Sequence, residues 1–157
     1  MATQFSLRQV ILAFVAVLLL LPASLLAASA WAPETSIEIG QGVLAEPSGA
    51  VVHNDRLYVV DDGGKLAVMN TDGSQSAVWS VGGDLEGVAT SDAQGDLIYL
   101  GVERPDSIVE FNTSTNQLTG NSWDLSGVMN SSNANAGLEG LTYAHGLFYA
   151  AMQETGA

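Results

Sequence analysis

An internal repeat constrains the fold of this sequence more than any other feature. Three segments can be aligned, and they read EPSGAVVHNDRLYVVDDGGKLAVMNTDG from Glu46, DLEGVATSDAQGDLIYLGVERPDSIVEFNTST from Asp84 and GLEGLTYAHGLFYAAMQETG from Gly137. Each contains a glycine-centred step, a short apolar strand, a polar turn and a second strand that includes LYVV, IYLG or FYAA. Self-similarity at this spacing indicates a repeat architecture, in which every repeat is one supersecondary unit.

The repeat predicts an all-β fold of the β-propeller type. The equivalent residues Tyr58, Tyr99 and Tyr149 are 41 and 50 positions apart, and a polar insertion at residues 126–137 accounts for the longer interval. A propeller blade has four short antiparallel strands in about 40 to 45 residues. A β-sandwich is the alternative, but it gives no reason for Glu-Gly and Tyr to recur in phase.

Residues 44–157 are predicted to hold two complete blades and the first two strands of a third, truncated blade. Because closed propellers typically have about four to eight blades, we expect this chain to be the N-terminal part of a longer protein, with self-assembly as the alternative. Trp79 and Trp123 fall in the predicted fourth strands of successive blades. We expect them to pack between blades rather than to form a platform for a sugar.

The first thirty residues have the features of a signal peptide. Arg8 precedes an apolar run at residues 10–21, and Ala28 and Ala30 form the A-x-A pattern that signal peptidase requires. The apolar run is shorter than the roughly 20 residues of a membrane span. We therefore predict cleavage after Ala30, export to the periplasm or the extracellular space, no stable membrane span after cleavage and a lead-in strand at residues 31–43. An uncleaved N-terminal anchor is the alternative.

The charge balance excludes one class of partner. Without residues 1–30, three basic residues face 17 acidic ones, a formal net charge of −14. Such a surface repels a phosphate backbone, so no nucleic-acid partner is expected. It suits hard cations instead. The chain contains no cysteine, so no disulfide can stabilise it in an oxidising compartment.

Acidic residues recur at corresponding places in the repeats. In a propeller the first strand of a blade lines the central channel and the second strand returns beside it, so the start of one and the end of the other lie on the same face. The positions at these places are Ser48, Glu86 and Glu139 before the first strands, and the pair Asp61 and Asp62, Glu103 and Glu154 after the second strands. A glycine follows each member of the first group, and we expect it where innermost strands crowd near the axis.

Converging carboxylates repel one another unless a cation neutralises them. Ca²⁺ accepts six to eight oxygen ligands in irregular geometry, and the predicted ligands are Glu86, Glu139, Glu103, Asp62 and Glu154. The first repeat departs from the pattern because it has Ser48 where the others have Glu. His53 and His145 fall in turns on the opposite face, which argues against zinc. The alternative is that these acids are ordinary solvated turn residues.

The segments DLEGVA, LGVERPDSIVEFN and NAGLEGLTY resemble the SdiA-regulated family of bacterial β-propellers. The resemblance covers about residues 44–154 and extends to the esterase-like phytase-type and the gluconolactonase and senescence-marker propellers. It implies an exported propeller with a calcium site, and it implies no particular reaction. Glu154 lies out of the register of the family.

Three functions follow from these expectations. The first is a non-catalytic exported propeller that binds calcium and an unknown small molecule or protein partner. The second is a calcium-dependent hydrolase of lactones, esters or phosphoesters, in which a rim carboxylate acts as general base. The third is a structural module of a larger surface protein. No nucleophile elbow, P-loop or EF-hand motif is present, so whether the protein is an enzyme stays open, and the placement of the histidines favours binding.

Overall fold

The computed structural model describes residues 42–91, 95–129 and 136–153, which belong to one compact unit, Ile37–Ala157. The predicted signal peptide, all but the last two residues of the predicted lead-in strand, and Glu154 lie outside the described residues. The described residues form ten β-strands and no α-helix, so none of their segments is a helix long and apolar enough to cross a membrane.

The strands form three antiparallel groups, and the all-β prediction is confirmed. The first sheet has the order β1-β2-β3-β4, the second sheet has the order β5-β6-β7-β8, and β9 and β10 form a third, two-stranded hairpin. The strands are β1 (Pro47–His53), β2 (Arg56–Asp61), β3 (Lys65–Asn70), β4 (Ala77–Ser80), β5 (Leu85–Ala89), β6 (Leu97–Val102), β7 (Ser107–Asn112), β8 (Gln117–Asp124), β9 (Leu138–Ala144) and β10 (Leu147–Met152). Every strand pairs with its neighbour in sequence, so each sheet is a simple meander.

The same β-bulge interrupts the first strand pair of all three groups. Pairing skips Ser48 in β1, Glu86 in β5 and Glu139 in β9, so each of these residues is the extra one on its strand. A bulge bends its strand and re-aims the side chain of the extra residue. The repeated Ser/Glu-Gly step is therefore a structural device, in which the first residue is bulged and the glycine resumes the pairing.

A backbone hydrogen bond next to each bulge identifies the equivalent residues of the three repeats. Asp62 N donates to Glu46 O at 3.1 Å, and Glu103 N donates to Asp84 O at 2.8 Å. In the third hairpin, the donor is Gln153 N and the acceptor is Gly137 O, at 2.9 Å. The residue that corresponds to Asp62 and Glu103 is thus Gln153, one position before the predicted ligand Glu154.

The first strands of the three groups pack side by side, β1 against β5 and β5 against β9, and glycines make this approach possible. A Cβ atom on Gly49 would lie 3.0 Å from Gly87 Cα, and one on Gly87 would lie 2.6 Å from Leu141 N. No side chain fits at such distances. The steric reason predicted for the glycines beside the bulged residues is therefore confirmed for Gly49 and Gly87.

One hydrophobic core joins the first and second sheets. Its largest buried side chains include Leu66 from β3 and Phe111 from β7. Trp79 in β4 packs against this core, with its ring 6.2 Å from that of Phe111. Packing between sheets is thus confirmed for Trp79. Trp123, at the corresponding position of β8, is 46% exposed and contacts Tyr99 of its own sheet.

Candidate metal centre

The first bulge of the second sheet and the end of β2 bring three carboxylates together. Asp62 follows β2 directly, and Asp84 and Glu86 lie on either side of Leu85, the first residue of β5. One carboxylate oxygen from each of the three lies within 4.8 Å of the others, and all three residues are half-buried. We call Asp62, Asp84 and Glu86 the acidic triad. It joins two of the predicted ligands, Asp62 and Glu86, in one place.

Asp84 is the member that the sequence analysis missed. Its Oδ2 atom accepts a hydrogen bond from Arg104 Nη2 at 3.1 Å. Its Oδ1 atom is buried and has no hydrogen-bond partner among the described residues. An unsatisfied buried oxygen costs free energy, so this atom lacks a donor or a cation. The available signal was a second acid two positions before Glu86, but Asp84 precedes β5 and Glu86 is bulged, so the alternation of a regular strand does not place the two side chains together.

The environment of Glu86 favours the protonated carboxyl group. Burial raises the pKa of Glu86 from 4.5 to about 7, and the negative charges of Glu139, Asp84 and Asp62 add to this effect. A cation would have the opposite influence, since an opposite charge nearby stabilises the carboxylate. Glu86 is therefore the residue on which proton and cation compete most directly.

The position of Asp62 in the triad is fixed by its neighbour in sequence, Asp61. The pKa of Asp62 is raised by a hydrogen bond with Asp84, which can form only when one of the two carboxyl groups is protonated, and by the charge of Asp84. The preceding residue, Asp61, is buried, and its Oδ2 atom accepts hydrogen bonds from the backbone of Ala45 at 2.7 Å and Glu46 at 2.9 Å. Its Oδ1 atom accepts a third, from Gly63 N at 2.9 Å. Asp61 thus fixes the turn that carries Asp62.

The other predicted ligands are placed differently. Glu103 is 5% exposed, and its carboxylate binds the guanidinium of Arg104, with Nε 3.0 Å from Oε2. Glu139 is exposed, and its charge acts on Glu86. Ser48, the bulged residue of the first sheet, donates from Oγ to Leu85 O. The ligand roles of Glu103 and Glu139 stay predictions, and Glu154 is not described.

Both histidines lie away from the triad, at the far ends of the first strands. His53 pairs with Arg56 at the β1–β2 turn, and His145 lies in the β9–β10 turn. The ring of His53 is 1% exposed, with Nε2 2.6 Å from Gly95 O and Nδ1 3.0 Å from Thr90 Oγ1. Both ring nitrogens of His53 thus have hydrogen-bond partners within the fold. The triad accordingly offers only oxygen ligands.

The sequence matches no protein-family model. No curated protein is similar to it in sequence. Among solved structures, the chain is similar to a hemopexin fold protein, CP4, from cow pea, with a TM-score of 0.39 and 15% sequence identity over 63% of this chain. The chain spans 52% of the length of that protein.

Proposed function

We propose that this chain is part of an exported β-propeller of the SdiA-regulated type, and that it holds Ca²⁺ at Asp62, Asp84 and Glu86 and binds a ligand or partner there. The observation that carries the proposal is the buried Oδ1 atom of Asp84, which has no hydrogen-bond partner within the described part of the chain and lies in a cluster of three carboxylates. A hard cation satisfies this oxygen and neutralises the cluster in one step.

The propeller is supported by the way in which the three groups repeat. Each has the bulge at the same place and the same backbone hydrogen bond beside it. Each full group is a four-stranded meander, and the innermost strands approach one another through Gly49 and Gly87. Packing of this kind places the starts of successive inner strands side by side, as the blades of a propeller require. The two faces of a sandwich would not need it.

The chemistry of the donors favours Ca²⁺ over softer metals. Ca²⁺ takes carboxylate oxygens in mono- or bidentate fashion and tolerates irregular arrangements, whereas zinc and copper sites are typically built with His or Cys. The triad contains neither residue type. A bound divalent cation would supply positive charge to this cluster, where burial first and the neighbouring acids second raise the pKa of Glu86, and where Asp84 raises the pKa of Asp62.

A calcium-dependent hydrolase of lactones, esters or phosphoesters is the second candidate, and one observation favours it. Without a bound cation, burial and the neighbouring acids raise the pKa of Glu86 to about 7, and a general acid or base works best when its pKa lies near the operating pH. A cation held by Asp62 and Asp84 would lower this pKa, so Glu86 would then act as the base. In this candidate Glu86 moves a proton, while Asp62 and Asp84 hold the cation. A binding protein needs no such proton transfer, so activity measurements separate the two.

Calcium titration of the purified full chain tests the proposed site. We expect Ca²⁺ to raise the melting temperature and to bind with measurable heat in calorimetry, because only the folded protein presents the triad. Asp84→Asn and Glu86→Gln should each weaken binding at least tenfold. Asp96→Asn is the matched control. It also removes one negative charge, but from the residue just before β6, at the end of that strand that lies away from the triad. If neither calorimetry nor melting responds to Ca²⁺, or if Asp96→Asn weakens binding equally, the site is wrong.

A hydrolysis screen then decides between binder and enzyme. Lactones, aryl esters and phosphate monoesters are incubated with the protein, with and without a chelator. Turnover that requires Ca²⁺ and disappears in Glu86→Gln supports the hydrolase. Calcium binding without turnover of any of these classes supports the binding protein.

A further inference from the structure

Among the described residues, Arg104 is the basic side chain that forms an ion pair with the acidic triad. Its Nη2 atom lies 3.1 Å from Asp84 Oδ2, and its Nε atom lies 3.0 Å from Glu103 Oε2. The guanidinium thus bridges an acid from the triad and an acid outside it. Because Arg104 uses Oδ2 of Asp84, the buried Oδ1 atom of the same carboxylate stays available.

We infer that Arg104 is the built-in counter-ion of the acidic triad, and that it sets the affinity of the site for divalent cations. The inference rests on the proposed calcium site for its second half. Arg104 neutralises Asp84 when no metal is bound, and its positive charge lowers the affinity of the triad for a metal. The ion pair with Glu103 holds the guanidinium of Arg104 in this position.

Two effects of Arg104 on cation binding have opposite signs, and the charge effect is the larger. The ion pair could orient the Asp84 carboxylate and so favour binding. However, the side chain of Asp84 is short, and the backbone carbonyl of this residue is already held by the hydrogen bond from Glu103 N at 2.8 Å. Only 22% of the side chain is exposed, so the packing around it also limits its orientation. Its orientation therefore depends little on Arg104. The charge of Arg104, by contrast, acts on any cation that binds the same carboxylate.

The test compares Arg104→Gln, which removes the charge, with Arg104→Lys, which keeps it. Calorimetric titration with Ca²⁺ should show tighter binding to Arg104→Gln, by about 3- to 10-fold at low salt, and near wild-type binding to Arg104→Lys. The difference should shrink in 1 M NaCl because salt screens exposed charges. Arg56→Gln is the control, since it removes a positive charge at the start of β2, whereas Asp62 follows the end of that strand. Weaker binding by both Arg104 variants would overturn the inference and assign Arg104 an orienting role.

A measurement without metal separates this inference from the proposed function. In chelator, Arg104→Gln should lower the melting temperature by about 2 °C because the triad loses its counter-ion. The same substitution in an Asp84→Asn background should have a smaller effect, since the partner charge is gone. If the two substitutions are coupled but the protein binds no Ca²⁺, Arg104 is still the counter-ion of the triad and the proposed calcium site is wrong. Equal effects in both backgrounds would refute the counter-ion itself.

Discussion

Gly87 lies so close to Leu141 that a Cβ atom on Gly87 would be 2.6 Å from the backbone nitrogen of Leu141. The contact joins β5 to β9 one residue after the bulge that presents Glu86. Because the obstructing atoms belong to the backbone of a neighbouring strand, they cannot give way as a flexible side chain does. The position of Glu86 in the acidic triad thus depends on the absence of a side chain at the next residue.

Gly87→Ala should destabilise the protein for this reason. We expect a loss of about 3 kcal/mol in the free energy of unfolding, at the upper end of the usual cost of overpacking, measured by urea denaturation. Gly127→Ala is the matched control, since a Cβ there meets no atom of the described residues within 4 Å, and it should change stability by less than about 0.5 kcal/mol. Similar stabilities of the two variants would contradict the close approach of β5 and β9.

Periodicity predicted the strands and the repeat, because both are properties of residue types at fixed spacing. It also placed Glu86 and Asp62 on one side of the fold, where the structure brings them together. It could not identify the ligand set. Glu103 is next to Arg104 in sequence and forms an ion pair with it. Whether the Glu103 carboxylate pairs with Arg104 or joins the other acids depends on the direction of its side chain, and the spacing of residues does not determine that direction.

In the third repeat, spacing and residue type point to different residues. Glu154 is the nearest acid to the expected position, yet the backbone hydrogen bond to Gly137 is donated by Gln153. Gln153 follows the bulged Glu139 by 14 residues, the same spacing that separates Asp62 from the bulged Ser48. The spacing of the first repeat therefore identifies Gln153, and the ligand role of Glu154 stays a prediction that rests on its charge.

Trp79→Ala should cost much more stability than Trp123→Ala, although the two tryptophans occupy corresponding positions of β4 and β8. Trp79 packs against the shared core and Phe111, so its loss should cost about 2 to 4 kcal/mol. Trp123 is 46% exposed, and its loss should cost about 1 kcal/mol. Thermal and urea unfolding of both variants provide the comparison. An equal cost would mean that Trp123 is covered by contacts outside the described residues.

Asp61→Asn should destabilise the protein and make it less sensitive to acid. Burial alone would raise the pKa of Asp61, but hydrogen bonds from the backbone of Glu46, Ala45 and Gly63 outweigh it, and the pKa is lowered from 3.8. The carboxylate therefore contributes stability above pH 3.8, which is lost as the pH falls through its folded pKa. The amide nitrogen of Asn cannot accept, so we expect a loss of about 3 kcal/mol at pH 7.

Urea unfolding of wild type and Asp61→Asn at several pH values between 2 and 7 measures this contribution. The two stability curves should converge at low pH, because wild-type Asp61 is protonated there. Asp72→Asn is the control. The pKa of Asp72 is also lowered, through hydrogen bonds with Ser74, but Asp72 lies in an exposed turn whereas Asp61 is buried. Curves for Asp61→Asn that run parallel to wild type would show that Asp61 does not depend on its charge.

Glu86→Gln should stabilise the metal-free protein at neutral pH. The pKa of Glu86 is raised from 4.5 to about 7, so the folded state binds its proton more tightly than the unfolded state does. Stability in chelator should accordingly fall as the pH rises from about 4.5 to about 7, and level off above. Glutamine has nearly the same size and polarity as glutamate but no charge. The stability of Glu86→Gln should therefore not decline with pH in this way, and the variant should be more stable than the wild type at pH 8. Added Ca²⁺ should reverse the order, because only the wild type offers the third carboxylate. A wild-type profile that stays flat between pH 4.5 and 7 in chelator would mean that Glu86 is not held in a carboxylate cluster.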